Sequence, residues 1–193
     1  MSILNINNGG SGGNYIRFMP SANAWVFNKD ETALDVVVFD HDTVKTGWGK
    51  MSEGNPPEWQ WDERLGVAGK QPSSEHKRGF SISFFAKGIG TVEWSSTGTG
   101  PVIGFDEIFE AIWSQKDENA GKVPVCKYTG STALKVGKGN TRVPKFQLVK
   151  WVARDSVPWG TEDKAEAPAP APAPAPAKKA PPPAPVDEDI SFA

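Results

Sequence analysis

Phe80-Ser81-Ile82-Ser83-Phe84-Phe85-Ala86-Lys87 puts Phe80, Ile82 and Phe84 on one face of an extended chain and Ser81, Ser83, Phe85 and Lys87 on the other. Apolar and polar residues alternating with period two mark a half-buried β-strand. Gly88 follows, and residues 89–94 can return as the second arm of a hairpin. Beyond it Phe105, Ile108, Phe109, Ile112 and Trp113 recur at helical spacing and form one apolar stripe. Gly104 precedes this helix, and Asp106 and Glu107 in its first turn suit the helix dipole. It should close at or before Gly121. Further strands are predicted at 14–19, at 34–39 around Val36-Val37-Val38, and at 123–128, 133–136 and 145–153. The last sets Phe146, Leu148 and Val152 against Lys145, Gln147, Val149 and Trp151. Residues 48–71, rich in Gly and Pro, read as a long excursion. The fold class is mainly β with one amphipathic helix. A small OB-like barrel, five strands with a helix after the third, fits this order.

Composition divides the chain. Of 193 residues, all 20 Gly and all 8 Trp lie within 1–160. Nine of the 17 Pro lie after 160, where Ala and Pro alternate from Ala167 to Ala177. Proline fixes φ and donates no backbone hydrogen bond, so this stretch should be a disordered, extended linker. The expected organisation is a body at 1–160, a linker at 161–186 and a terminal tip at 187–193.

The formal net charge is −2, which argues against a nucleic-acid partner if taken whole. Taken by region it reads differently. Residues 1–120 carry 10 basic and 16 acidic groups, whereas 121–154 carry 8 basic groups and no acid. Those eight are Lys122, Lys127, Lys135, Lys138, Arg142, Lys145, Lys150 and Arg154. A solvated protein face ordinarily mixes signs, so a run this one-sided calls for an anionic partner.

Catalytic patterns are weak. Asp40-His41-Asp42 places neighbours on opposite faces of a strand, so these side chains do not converge on a metal; a polar turn is the simpler reading. Cys126 excludes a disulfide framework and reads as a small buried residue. The glycines at 130–139 lack phosphate-loop spacing. The chain is therefore read as no enzyme, with no cofactor and no metal. No run approaches the ~18 apolar residues of a membrane span. The polar residues 1–13 show no signal-peptide stretch, so the expected location is cytoplasmic, that of the bacterial host if the chain is phage-encoded.

Cation plus aromatic remains. Single-stranded nucleic acid needs positive charge to follow phosphates and flat rings on which bases stack. Tyr15, Phe85, Tyr128 and Trp151 are predicted on the polar sides of their strands, near Arg17, Lys87, Lys127 and Lys145. Trp59 and Trp61, two apart in Glu58-Trp59-Gln60-Trp61, could equally be core or stacking rings.

Asp187-Glu188-Asp189-Ile190-Ser191-Phe192 on a Pro-rich linker resembles the C-terminal tip of bacterial and phage single-stranded DNA-binding proteins. The resemblance implies an OB-fold core that coats single-stranded DNA in replication, recombination and repair. It also implies a tip whose Asp187, Glu188, Asp189, Ile190 and Phe192 recruit partner proteins. Ser191 replaces the family's Pro and Ala193 follows Phe192, so partners that clamp the terminal carboxylate with the ring should bind more weakly. The body is not close to the bacterial core sequence, so a phage-type or otherwise divergent member is the nearer match. The partners this admits are single-stranded DNA, replication or recombination proteins, and further copies of the chain, with no membrane among them. The rival reading is a β-rich protein-interaction adaptor with a tethered peptide and no nucleic-acid binding. An acidic tip tethered near a cationic groove competes with DNA for it. Deleting residues 187–193 should therefore tighten binding of oligo(dT), most at low salt. Unchanged or weaker binding in a salt titration would contradict that competition.

Overall fold

The computed structural model describes residues 14–51 and 57–160. The linker and tip expected at 161–186 and 187–193 lie outside the described residues. In chain order the elements are β1 (Tyr15–Met19), β2 (Ala24–Phe27), β3 (Asp30–Thr32), β4 (Val36–Lys50), β5 (Glu58–Trp61), β6 (Lys77–Ala86), β7 (Gly90–Ser96), α1 (Thr99–Trp113), β8 (Lys122–Val136) and β9 (Gly139–Ala153). The strands make one sheet in the order β3-β2-β1-β7-β6-β4-β8-β9, and β5 joins β4 off this path. Neighbours are antiparallel except β1 and β7, which are parallel. The sheet curls strongly into a half-barrel. Within it β4, β6, β7, β8 and β9 are the five strands of the expected OB-like arrangement, with α1 after the third. β1, β2 and β3 extend it as an N-terminal meander. Sequence alternation missed β2 and β3, which are only 4 and 3 residues long.

β4 runs for 15 residues, well past the strand expected at 34–39. It continues because it bends. Its register with β6 shifts between Asp40 and Lys45, so residues 41–44 stand opposite Ile82 alone. The Thr43 hydroxyl keeps the ladder satisfied there, donating to the Asp40 carbonyl at 2.8 Å and accepting from the Ser83 N–H at 2.9 Å. A side chain that takes up backbone groups freed at a bulge lowers the energetic penalty of bending the strand there. Asp40-His41-Asp42 is thus a bent strand and not a turn. The strands expected at 123–128 and 133–136 are one, β8, which a second register shift bends between Tyr128 and Gly130.

The helix begins at Thr99, earlier than its apolar stripe indicates, so Asp106 and Glu107 fall beyond its first turn. Pro101 is tolerated because first-turn N–H groups have no helical acceptor. Gly100 and Gly104 lie one turn apart on the face against β9. A Cβ at either would overlap the carbonyl oxygen of Arg142 or Pro144, so glycine sets how closely helix and strand pack. Phe105, Ile108 and Ile112 then enter the core. That core is aromatic: Phe105 stacks on Phe80 at 4.1 Å between centroids, and Trp25 meets Trp94 edge-on at 5.0 Å. Such contacts add about 0.5–1.5 kcal/mol each beyond simple burial.

A polar lock holds the excursion after β5. The Asp62 side chain is 2 % exposed and forms a two-pronged bond with Arg78, at 2.8 and 2.6 Å. Thr46 Oγ1 donates to it at 2.6 Å and the Gly69 N–H at 2.9 Å. Trp48 Nε1 in turn donates to the Gly69 carbonyl at 2.7 Å. The Arg78 hydrogen bonds, resisted by burial, hold the Asp62 carboxyl far below the usual carboxylate range. A carboxylate whose pKa falls on folding stabilises the native state above its unfolded pKa, and this contribution fades with acidification. Asp62→Asn should lower stability by about 2 kcal/mol at pH 7, discounted because Arg78 is partly exposed. In denaturant titrations that deficit should shrink once the pH falls below about 4; a pH-independent deficit would show that the charge is not what stabilises.

Candidate nucleic-acid interface

Cross-strand register defines the outer face of the sheet, opposite the core. Thr91, Phe85, Val38, Val125 and Lys150 form one row across β7, β6, β4, β8 and β9. Tyr15, Glu93, Ser83 and Asp40 form the next. Ser95, Ser81 and Lys45 form a third, followed by Gly79, Gly47 and Trp61. Successive rows alternate with core residues, so Tyr15, Phe85, Lys45, Trp61 and Lys150 share one surface.

Of the predicted rings, Tyr15 is 52 % exposed and Phe85 half-buried on this face. Arg17 and Lys87 are exposed, Arg17 two residues along β1 and Lys87 just after β6. Tyr128 and Trp151 sit elsewhere. Tyr128 stands directly opposite Phe146 on the core side and meets Trp25 edge-on at 5.8 Å. Burial raises its phenol pKa. Trp151 was expected to face away from Leu148, but Leu148 pairs with Cys126 and Lys150 with Val125, which leaves Val149 as the extra residue of a bulge. One extra residue reverses the facing of everything after it. Trp151 therefore packs against the core, edge-on to His41, with its indole N–H towards Gln115. The prediction that these two rings lie on the polar side of their strands is corrected by the structure.

The cations also divide. Lys122, Lys127, Lys135, Lys138 and Lys150 are exposed and make no ion pair among the described residues. They run along the β8–β9 hairpin, with Lys135 and Lys138 at its tip. The other three have structural partners. Arg142 holds Asn23 and Ser131, and Lys145 pairs with Glu107 of α1. Arg154 bridges Asp40 at 2.5 Å and Asp42 at 3.0 Å.

After β9 the chain crosses the outer face. Arg154 lies on Asp40, Val157 is buried, and the Trp159 ring is 5.6 Å from the Arg154 guanidinium. Trp159 and Gly160 then line a cleft with Ser83, Thr91 and Glu93. The Thr91 N–H donates to the Gly160 carbonyl at 2.9 Å, and on the same edge of β7 the Glu93 N–H donates to Asn14 at 2.8 Å.

Sequence reasoning left Trp59 and Trp61 unassigned. They stack on each other at 4.3 Å and 8° between ring planes, and Lys45 Nζ is 5.9 Å from the Trp61 ring. The signal was available: Gly47 and Gly49 alternate opposite Trp61 and Trp59.

Burial pushes the Cys126 thiol up to about 12, which keeps it protonated at neutral pH. Among the described residues no group of three or more His, Cys, Asp or Glu could hold a metal ion, and no helix is long and apolar enough to cross a membrane. The chain matches no family model, no curated protein and no solved structure.

The two classes of cation should separate in experiment. Arg154→Ala leaves buried Asp40 without its partner and should cost about 2 kcal/mol of stability. Lys150→Ala should stay within about 0.5 kcal/mol of wild type. Equal thermal midpoints for the two variants would contradict the structural role given to Arg154.

Proposed function

We propose that the protein is a sequence-tolerant, non-enzymatic single-stranded DNA-binding protein that coats exposed strands in replication, recombination or repair. The observation that carries this reading is the β8–β9 hairpin, whose five exposed lysines face solvent without an acidic partner among the described residues. Phosphates are the partner such a concentration of unpaired cations attracts, by Coulomb attraction and by release of condensed counterions. The fold supports it. In OB-type barrels oligonucleotides lie on the face of strands two and three, between the loops that join strands one to two and four to five. Here those are β6 and β7, the connection at 51–76 that carries β5, and the hairpin tip at Lys135 and Lys138. Tyr15 and Phe85 offer rings on that face, and stacking contributes about 1–3 kcal/mol per base. Exposed rings favour single strands, because a duplex hides the faces of its bases.

The tip at Asp187–Phe192 completes the reading as a recruiter of replication or recombination proteins. An acidic tip tethered to this body competes with DNA for the exposed lysines.

Titrating intrinsic Trp fluorescence with poly(dT), duplex DNA and RNA across salt tests the function. Single strands should quench it, with log K falling against log salt by about 0.7 per phosphate neutralised. Lys135→Ala with Lys138→Ala should flatten that slope by about 1.4 and leave the fold intact. Absence of binding, or equal affinity for duplex, would favour the rival adaptor.

A further inference from the structure

The connection between β4 and β6 carries a construction that the hairpin does not explain. β5 pairs with the second half of β4, setting Trp59 opposite Gly49 and Trp61 opposite Gly47. Gly79 of β6 lies beside Gly47 on the same face. A Cβ on Gly49 would come within 2.8 Å of the Trp59 ring, and one on Gly79 within 2.9 Å. Glycines thus leave a floor without side chains on which both rings sit, Gly49 and Gly79 beneath Trp59 and Gly47 beneath Trp61. Trp61 lies parallel to Trp59 and is 37 % exposed. The base of the wing is fixed from the opposite face by the Asp62–Arg78 lock, one residue after β5. Parallel stacking of the exposed Trp61 indole on the half-buried Trp59 holds a flat π surface ready, with its ordering cost already met in the folded state.

We propose that Trp61, backed by Trp59 and the glycine floor, is a stacking site for one nucleobase, with Lys45 beside it to take the neighbouring phosphate. Planarity matches the ligand: every base has a π face, and an adjacent cation meets the phosphate that follows it. Lys45 lies on the same face as Trp61, and its Nζ at 5.9 Å from the ring is at the outer limit of cation–π contact, so a strand can engage it without breaking a strong bond. The proposal rests on the single-stranded DNA reading and gives it a base-dependent component separate from the charge of the hairpin.

The full chain is titrated by fluorescence anisotropy with labelled oligo(dT) and with an abasic oligonucleotide of equal length. For Trp61→Ala, affinity for oligo(dT) should fall about tenfold, the equivalent of 1.4 kcal/mol. Its affinity for the abasic strand should be unchanged, and Trp61→Phe should restore most of the loss. Lys45→Gln should weaken both ligands alike and flatten the salt slope by about 0.7. Loss of both ligands by Trp61→Ala, or of neither, overturns the stacking site while the function stands. If the wild-type chain binds neither oligonucleotide, the function itself falls, and the site with it.

Discussion

Asp40 is a buried carboxylate on the outer face of a bent strand, and the Arg154 guanidinium at 2.5 Å makes it tolerable there. An unpaired charge at that depth would cost several kcal/mol. Three features meet at this one contact. It lies at the bulge that bends β4, it follows directly on the end of β9, and it starts the segment that crosses to β7. The bend matters because β4 serves two neighbours along one edge, β8 with its first half and β5 with its second. A straight strand would send both in one plane. The bent one sets the tryptophan wing and the lysine hairpin on different parts of a curled sheet, with β6 and β7 among them.

The charge of the chain follows the same division. Of the eight cations between residues 121 and 154, Arg142, Lys145 and Arg154 hold the body together and the five lysines stay in water. The structural three have distant partners: Asn23, Glu107 and Asp40. A run of positive charge in a sequence is therefore an upper bound on the charge offered to a ligand. Here the remainder still lies along one hairpin.

Much of the barrel was legible in the sequence. Alternation at 80–84, answered by residues 90–96, reported the central hairpin because one face of each strand is core and the other carries Ser, Thr and Glu. The start of α1 was not legible, since Gly100, Pro101 and Gly104 resemble breakers, and only contact with β9 shows them to be packing residues. Tyr128 was misplaced although β8 alternates unbroken from Val123 to Tyr128, where it follows Cys126 to the core side; Trp151 was misplaced by a shift of register. A period-two reading assumes unbroken register, and a bulge of one residue leaves no mark in composition. Val149, more than half exposed, is the extra residue that turns Trp151 inwards. Trp59 and Trp61 stayed ambiguous because their role depends on glycines in two other strands.

The central claim is that single-stranded DNA lies across the outer face, between the tryptophan wing and the lysine hairpin. Photo-crosslinking the intact protein to oligonucleotides that carry bromodeoxyuridine, then mapping the adducts by mass spectrometry, tests it most directly. The account predicts adducts on outer-face rings, Trp61 and Tyr15 first, that are lost when unlabelled oligo(dT) competes and kept when duplex DNA does. Adducts concentrated on Trp113 at the end of α1, or none above those given by duplex, would contradict it.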